Sequence, residues 1–125
     1  MVRLKPITNR DQVSGDALVA FDSIIGSRNR INGPHPIMMY APEVARSSTA
    51  LSDALRFGGN LSNHDTELAI ITAARHWDCD YVWASHSVAA LKAGVRPEAV
   101  DIVANGGHLD GLTPEEEVKV RYGRE

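Results

Sequence analysis

The sequence has one cysteine among its 125 residues, few aromatic side chains and no long run of apolar residues. One cysteine cannot form an internal disulfide, which excludes a disulfide framework and fits a reducing compartment. No stretch reaches the roughly 18 to 20 apolar residues that a membrane span requires. The first ten residues also lack the apolar segment of a signal peptide. We therefore expect a soluble, cytoplasmic protein without a membrane segment.

An excess of positive charge is missing as well. Lys and Arg number 13 against 16 Asp and Glu, which gives a net charge of −3 and a pI of about 5.9. No basic run exceeds two residues, so we expect no nucleic-acid partner. The apolar content of 43% and the length are ordinary for a single globular domain, and we expect one domain over residues 1–125.

Alternating strand patterns are missing, whereas helical spacing recurs. Segment 11–27 places Ala17, Phe21, Ile24 and Ile25 along one helical stripe. The prolines after residue 33 predict a loop between this helix and the next.

Five further helices are bounded by ordinary start and stop residues. The second helix runs from Pro42 to Gly58-Gly59, with Val44, Leu51 and Leu55 on one face. Ser62 or Asn63 caps the third helix, and the fourth runs from Cys79 to Gly94. The fifth runs from Pro97 to Gly106-Gly107, and Thr113, Pro114 and Glu116 form a capping box for the sixth. The sequence thus predicts an all-α bundle of about six helices with no sheet.

The last predicted helix, from residue 113, stops abruptly at Glu125. An amphipathic helix that ends in this way suggests a fragment, or a helix that is completed against a partner subunit. Six short helices shield one core only partly, so we expect a homo-oligomer on grounds of area.

The stretch CDYVWASH, residues 79–86, carries the candidate chemistry. On a helix, Cys79, Trp83 and His86 share one face. In the preceding helix, Glu67 shares a stripe with aliphatic side chains, and a carboxylate there needs a partner. Two helices joined by a short link pack antiparallel, so Glu67 and His86 are predicted to face each other. The pair has two interpretations, an acid–base centre or a structural contact.

Two other kinds of site are less well supported by the spacing. Cys79 and His86 lie about 10.5 Å apart along a helix, and the residue one turn before His86 is Val82. Direct proton transfer between them is not expected, although a water or Glu67 could relay a proton. For a metal, His76 would join Glu67, Cys79 and His86, but CxxC pairs and an HExxH pattern are both missing, so we expect no metal.

The stretch ELAIITAARHWDCDYVWASH, residues 67–86, resembles the carboxymuconolactone decarboxylase family, whose wider group includes alkylhydroperoxidase D-like proteins. The shared pattern is a Glu, eleven residues, a Cys, and a His seven positions beyond that Cys. Upstream, GPHPIMMYAPEVA and ALRFGGNLS resemble the segments that precede this motif in one branch. The resemblance covers about residues 33–107.

This resemblance implies an all-helical fold that assembles into trimers or hexamers, with the site near subunit contacts. It also implies decarboxylation of a carboxylated muconolactone without metal or organic cofactor, with His86 at the shared histidine position. In the alkylhydroperoxidase D-like branch a second cysteine precedes the histidine by one turn, and that position is Val82 here. A one-cysteine peroxidase cycle would need an external thiol.

Three hypotheses follow. The first is a cofactor-independent, decarboxylase-like enzyme in which Glu67 and His86 exchange a proton with a small carboxylated or lactone-type substrate. Trp83 and Tyr81 would wall its pocket. The second is a thiol peroxidase with Cys79 as the nucleophile. The third is a non-catalytic helical oligomer in which Glu67 and His86 form a structural pair.

Overall fold

The computed structural model describes residues 3–125, and the described residues contain helices and no strand. A short 3-10 helix at Arg10–Gln12 is followed by seven α-helices: α1 Gly15–Arg28, α2 His35–Met38, α3 Pro42–Phe57, α4 Asn63–His76, α5 Asp80–Lys92, α6 Pro97–Asn105 and α7 Pro114–Arg124. The all-α prediction is confirmed. Within residues 3–125, every helix is too short or too polar to cross a membrane.

Most helix ends lie where the sequence signals place them. The Ser62 hydroxyl accepts a hydrogen bond from the Asp65 amide at 3.1 Å and caps α4. Cys79 is the N-terminal cap residue of α5. Gly106 follows α6 in the left-handed conformation, with φ of 65°, which glycine adopts without steric cost.

The segment between α1 and α3 differs from the prediction. Instead of an uninterrupted loop it contains α2, a single turn that starts at His35. Pro34 and Pro36 occupy its cap and its first turn, where a missing N–H group removes no intrahelical hydrogen bond. The prolines here begin a helical turn, whereas we expected them to prevent one.

The chain divides into two compact units, Met1–Gly59 and Asn60–Glu125. In the first unit α1 packs against α3, with α2 beside α3. Its buried core consists of Ala20, Phe21, Ile24, Met39 and Ala45. His35 is also buried, and its two ring nitrogens contact the Asn32 carbonyl at 2.8 Å and the Thr49 hydroxyl at 3.1 Å. The single-domain assignment stays a prediction.

The apolar stripe of α3 is not the side that this helix buries. Ala45 and Thr49 point into the core, whereas Val44, Leu51 and Leu55 are each more than half exposed. Small residues thus form the contact of α3 with its own unit, and the larger aliphatic side chains remain on the surface.

In the second unit, α4 is the central helix and packs against α5, α6 and α7. The buried core comes from all four helices and the α5–α6 connection: Leu68, Ile71, Ala90, Val95, Ala99, Val100, Val103 and Val120. Because three helices contact α4, its position determines where the side chains of α5 lie.

Ion pairs attach α7 to the rest of this unit. Glu116 is only 4% exposed and accepts a hydrogen bond from Arg96 Nη2 at 2.6 Å, besides closing the Thr113 capping box. Arg96 lowers the pKa of Glu116 to about 2. Lys119 contacts Asp65 on α4 at 2.5 Å and lowers the pKa of that carboxyl group. Glu116 is thus buried although it belongs to a run of three acidic residues, 115–117.

The Arg96–Glu116 contact predicts a pH-dependent stability. Because the folded pKa lies below the ordinary value of 4.5, the stabilisation is complete above that value and is lost as pH falls toward about 2. Glu116→Gln should reduce the acid dependence of the free energy of unfolding by roughly 1 to 3 kcal/mol. Urea unfolding over this range tests it, with the exposed Glu115→Gln as control. Equal acid dependence in both variants would contradict the contact's role.

Close packing of α7 on α4 predicts a second effect. A Cβ atom at Gly123 would lie 2.8 Å from Thr72 Cγ2, so Gly123→Ala should destabilise the protein by roughly 1 to 3 kcal/mol. Thr72→Ser removes that methyl group and retains the hydroxyl that bonds to the Leu68 carbonyl at 2.8 Å. Combining Thr72→Ser with Gly123→Ala should therefore restore most of the lost free energy of unfolding, as measured by chemical denaturation. Gly26→Ala on α1, where the added Cβ meets no atom within 4 Å, is the matched control.

Candidate functional site

The contact between α4 and α5 centres on Glu67 and His86. Glu67 is 2% exposed and lies beside Leu68 in the buried stretch of α4. His86 Nδ1 lies 2.7 Å from Glu67 Oε2, a short distance for a hydrogen bond to a carboxylate. The contact predicted from the two helical stripes is confirmed.

This geometry gives the two nitrogens of the His86 imidazole different roles. Nδ1 is directed at Glu67, so a neutral ring that donates from Nδ1 has Nε2 as its proton acceptor. The His86 side chain is 24% exposed, whereas that of Glu67 is 3% exposed. A buried carboxylate thus orients a partly accessible imidazole. This arrangement suits general acid–base chemistry, in which one group positions the ring and the other nitrogen moves the proton.

Cys79 lies at the turn between the two helices and is exposed. Its amide donates to the Ala74 carbonyl at 2.8 Å, and its carbonyl accepts from the Trp83 amide at 3.0 Å. The backbone of Cys79 therefore joins the end of α4 to the start of α5, while its side chain faces solvent. Val82 occupies the position one turn before His86 and is half-buried.

The two candidate pocket walls lie in different environments. Trp83 is partly buried against the core of the second unit, on the side of α5 that carries His86. The guanidinium carbon of Arg75 lies 5.6 Å from its ring centroid, and Arg75 Nε donates to the Ala104 carbonyl at 2.9 Å. Tyr81 is 65% exposed. We did not predict the Arg75–Trp83 contact from the sequence. The available signal was that Arg75 in the last turn of α4 and Trp83 in the first turn of α5 lie on either side of a short link.

A family model described as "Carboxymuconolactone decarboxylase family" matches residues 42–125. The chain belongs to the carboxymuconolactone decarboxylase family. The match runs from α3 to α7 and includes Glu67, Cys79 and His86. Comparison with curated proteins gives no significant match, and comparison with solved structures gives none either.

In this carboxymuconolactone decarboxylase family chain, two concavities of the second unit lie away from the Glu67–His86 pair. One, of about 130 Å³, is lined by Thr72, Arg75, His76, Val103, Gly106 and Arg124. The other, of about 350 Å³, is lined by Gly107, His108, Leu109, Arg121, Arg124 and Glu125. Neither has Glu67, Cys79 or His86 in its wall.

The four residues considered as metal ligands are not brought together. Within residues 3–125 no group of three or more His, Cys, Asp or Glu side chains has an arrangement that could hold a metal ion. His76 is exposed and packs edge-on against Trp77, with ring centroids 5.2 Å apart. Glu67 and His86 do form a close pair.

The Glu67–His86 contact predicts strong energetic coupling. In a double-mutant cycle with Glu67→Gln and His86→Asn, the two effects on the free energy of unfolding should differ from additivity by about 1 to 3 kcal/mol. The reason is that each substitution removes a partner of a mostly buried hydrogen bond. Urea denaturation of the four proteins measures the coupling.

The control cycle pairs Glu67→Gln with His108→Asn, because His108 is exposed and lines the larger concavity instead. That pair should be additive within about 0.5 kcal/mol. Additivity of the same quality for Glu67 and His86 would show that the contact contributes nothing to stability.

Proposed function

We propose that this chain is a cofactor-independent enzyme of the decarboxylase type that acts on a small carboxylated or lactone-type substrate. The observation that carries the proposal is the 2.7 Å contact between the buried Glu67 and the partly exposed His86. Membership in the carboxymuconolactone decarboxylase family supports the same chemistry. Since Glu67 is buried and His86 is accessible, His86 is the group that meets the substrate.

The proposed reaction needs one proton. The bond between the ring carbon and the carboxylate breaks, CO₂ leaves, and the electron pair remains on carbon as an enolate conjugated with the lactone carbonyl. Nε2–H of protonated His86 then delivers its proton to a carbon of that enolate, while Glu67 balances the ring's positive charge through Nδ1. Water returns the proton to Nε2. A positioned acid of this kind contributes about 10²- to 10⁴-fold to a rate.

The substrate pocket is proposed to be completed by a second copy of the chain. His86 is partly exposed and lies outside both concavities described above, so a second copy can reach it. Trp83 fits one wall because it shares the His86 side of α5. Tyr81, the second predicted wall, is largely exposed. The proposal includes a homo-oligomer, either a trimer or a hexamer. It also includes a cytoplasmic location, because a single cysteine fits a reducing compartment.

Replacement of His86 tests the acid–base assignment. With carboxymuconolactone as substrate, His86→Ala should lower kcat by at least about 100-fold, because the carbanion loses its proton donor. Glu67→Gln should lower kcat as well, since the imidazolium loses its counter-charge. His108→Ala is the matched histidine control and should leave the rate unchanged. Lactone consumption measures all four proteins, and turnover of His86→Ala within tenfold of wild type would refute the assignment.

The second candidate function is reduction of an organic hydroperoxide by Cys79, which is favoured by the exposure of that residue. The sulfur would attack the peroxide, the O–O bond would break, an alcohol would leave, and Cys79 would become a sulfenic acid. An external thiol would then form a mixed disulfide with release of water, and a second thiol would reduce it. The valine at position 82 supplies no resolving thiol within the chain.

Two single variants separate the candidates. If the acid–base proposal is right, Cys79→Ser should retain decarboxylation within about tenfold, whereas His86→Ala should lose it. The peroxidase alternative requires the opposite: thiol-dependent consumption of cumene hydroperoxide that Cys79→Ser abolishes. Absence of both activities in the assembled wild-type protein would favour the third hypothesis, a helical oligomer in which Glu67 and His86 are structural.

A further inference from the structure

The side of α5 that faces away from the core carries a continuous apolar stripe. Tyr81, Ala84, Val88 and Leu91 follow each other at intervals of three, four and three residues, which places them on one face of the helix. All four are exposed, and the three large side chains retain 65%, 52% and 46% of their accessible surface. We call these four residues the outer stripe of α5.

The opposite side of α5 is apolar as well. Ala90 is fully buried there, and Trp83 packs against the same core. A helix that is apolar on both sides is normally covered on both sides. The charged side chains of α5 stand only at its two ends, where Asp80 begins the helix and Lys92 ends it. The outer stripe thus has the composition of a contact surface.

The outer stripe is symmetric about the level of residue 86. Tyr81 and Leu91 lie five residues to either side of that level, and Ala84 and Val88 lie two residues to either side. A second α5 that runs antiparallel therefore places each large side chain opposite another apolar one, with Val88 against the small Ala84. The stripe is complementary to itself.

The charges at the ends of α5 obey the same symmetry. Asp80 and Lys92 lie six residues to either side of residue 86 and carry opposite charges. In the antiparallel arrangement, each Asp80 stands level with Lys92 of the other copy. The Asp80 side chain is 94% exposed, and its contact with Arg75 is long at 3.8 Å, so Asp80 is accessible to a second cation. Like charges would face each other in a parallel arrangement, which disfavours it.

We propose that the outer stripe of α5 binds the same stripe of a second copy of this chain, antiparallel and around a two-fold axis at the level of residue 86. Such a contact is isologous, so it produces a dimer or an even-numbered ring such as a hexamer and is incompatible with a simple trimer. The core of the second unit then contacts one side of α5 and the second copy contacts the other. The contact does not cover the partly exposed His86.

Substitution within the outer stripe tests the proposal on the full chain. Size-exclusion chromatography with light scattering should give wild-type protein an even multiple of 13.6 kDa. Val88→Glu should raise the dissociation constant of the pair by at least about tenfold, because it places two carboxylates near the axis. Val118→Glu on α7, where the valine is 68% exposed, is the matched control and should leave the mass unchanged.

Charge reversal tests the antiparallel orientation and avoids an apolar-to-charged substitution. Asp80→Lys and Lys92→Asp should each weaken the pair by about three- to tenfold, and the double variant should recover most of the loss. Far-UV circular dichroism checks that each variant retains its helices. A wild-type monomer or trimer, an unchanged mass for folded Val88→Glu, or a double variant no tighter than the single ones would overturn the proposal. The proposal would also be overturned if Leu51→Glu on α3 dissociated the oligomer while Val88→Glu kept its full oligomeric mass.

Discussion

The burial of one carboxylate organises the second unit of this protein. Glu67 lies among aliphatic side chains of α4, where an ionised group without a partner would cost several kcal/mol. His86 on α5 supplies that partner at 2.7 Å. The contact fixes the rotation of α5 against α4, and with it the side of α5 that carries Trp83 and His86. Stability and candidate chemistry thus depend on the same hydrogen bond.

The rest of the unit holds α4 in place. Lys119 of α7 binds Asp65 in the first turn of α4, and Arg96 binds Glu116 at the start of α7. Both acidic residues lie at helix N-termini, where a negative charge is also favoured by the helix dipole. These pairs connect the ends of the helices around the apolar core, so the Glu67–His86 contact lies in a framework that is fixed on several sides. A rigid support of this kind is what a positioned acid–base group requires.

Much of the fold could be predicted from local chemistry. Caps and breakers such as Ser62, Gly106 and Thr113 act through their own backbone, so a sequence shows them directly. The Glu67–His86 contact was predictable because a short link forces α4 and α5 to pack antiparallel.

The environment of single side chains was harder to predict. Glu116 belongs to a run of three acidic residues. The tertiary structure shows that Glu116 is buried and accepts a hydrogen bond from Arg96. The α3 stripe and the outer stripe of α5 both have the spacing of apolar residues that is typical of a helix face packed in a core. Both stripes are nevertheless exposed in the chain. Periodicity shows that a helix has an apolar face, but it does not show whether the same chain covers that face.

Turnover of carboxymuconolactone in D₂O, followed by NMR of the product, tests most directly whether His86 delivers the proton. If His86 delivers the proton from a fixed position, each product molecule should carry one deuterium, on a single face of the carbon that accepts the proton. Label on both faces in equal amounts would show that solvent, and not a positioned His86, protonates that carbon. That result would contradict the role of His86 as the proton donor.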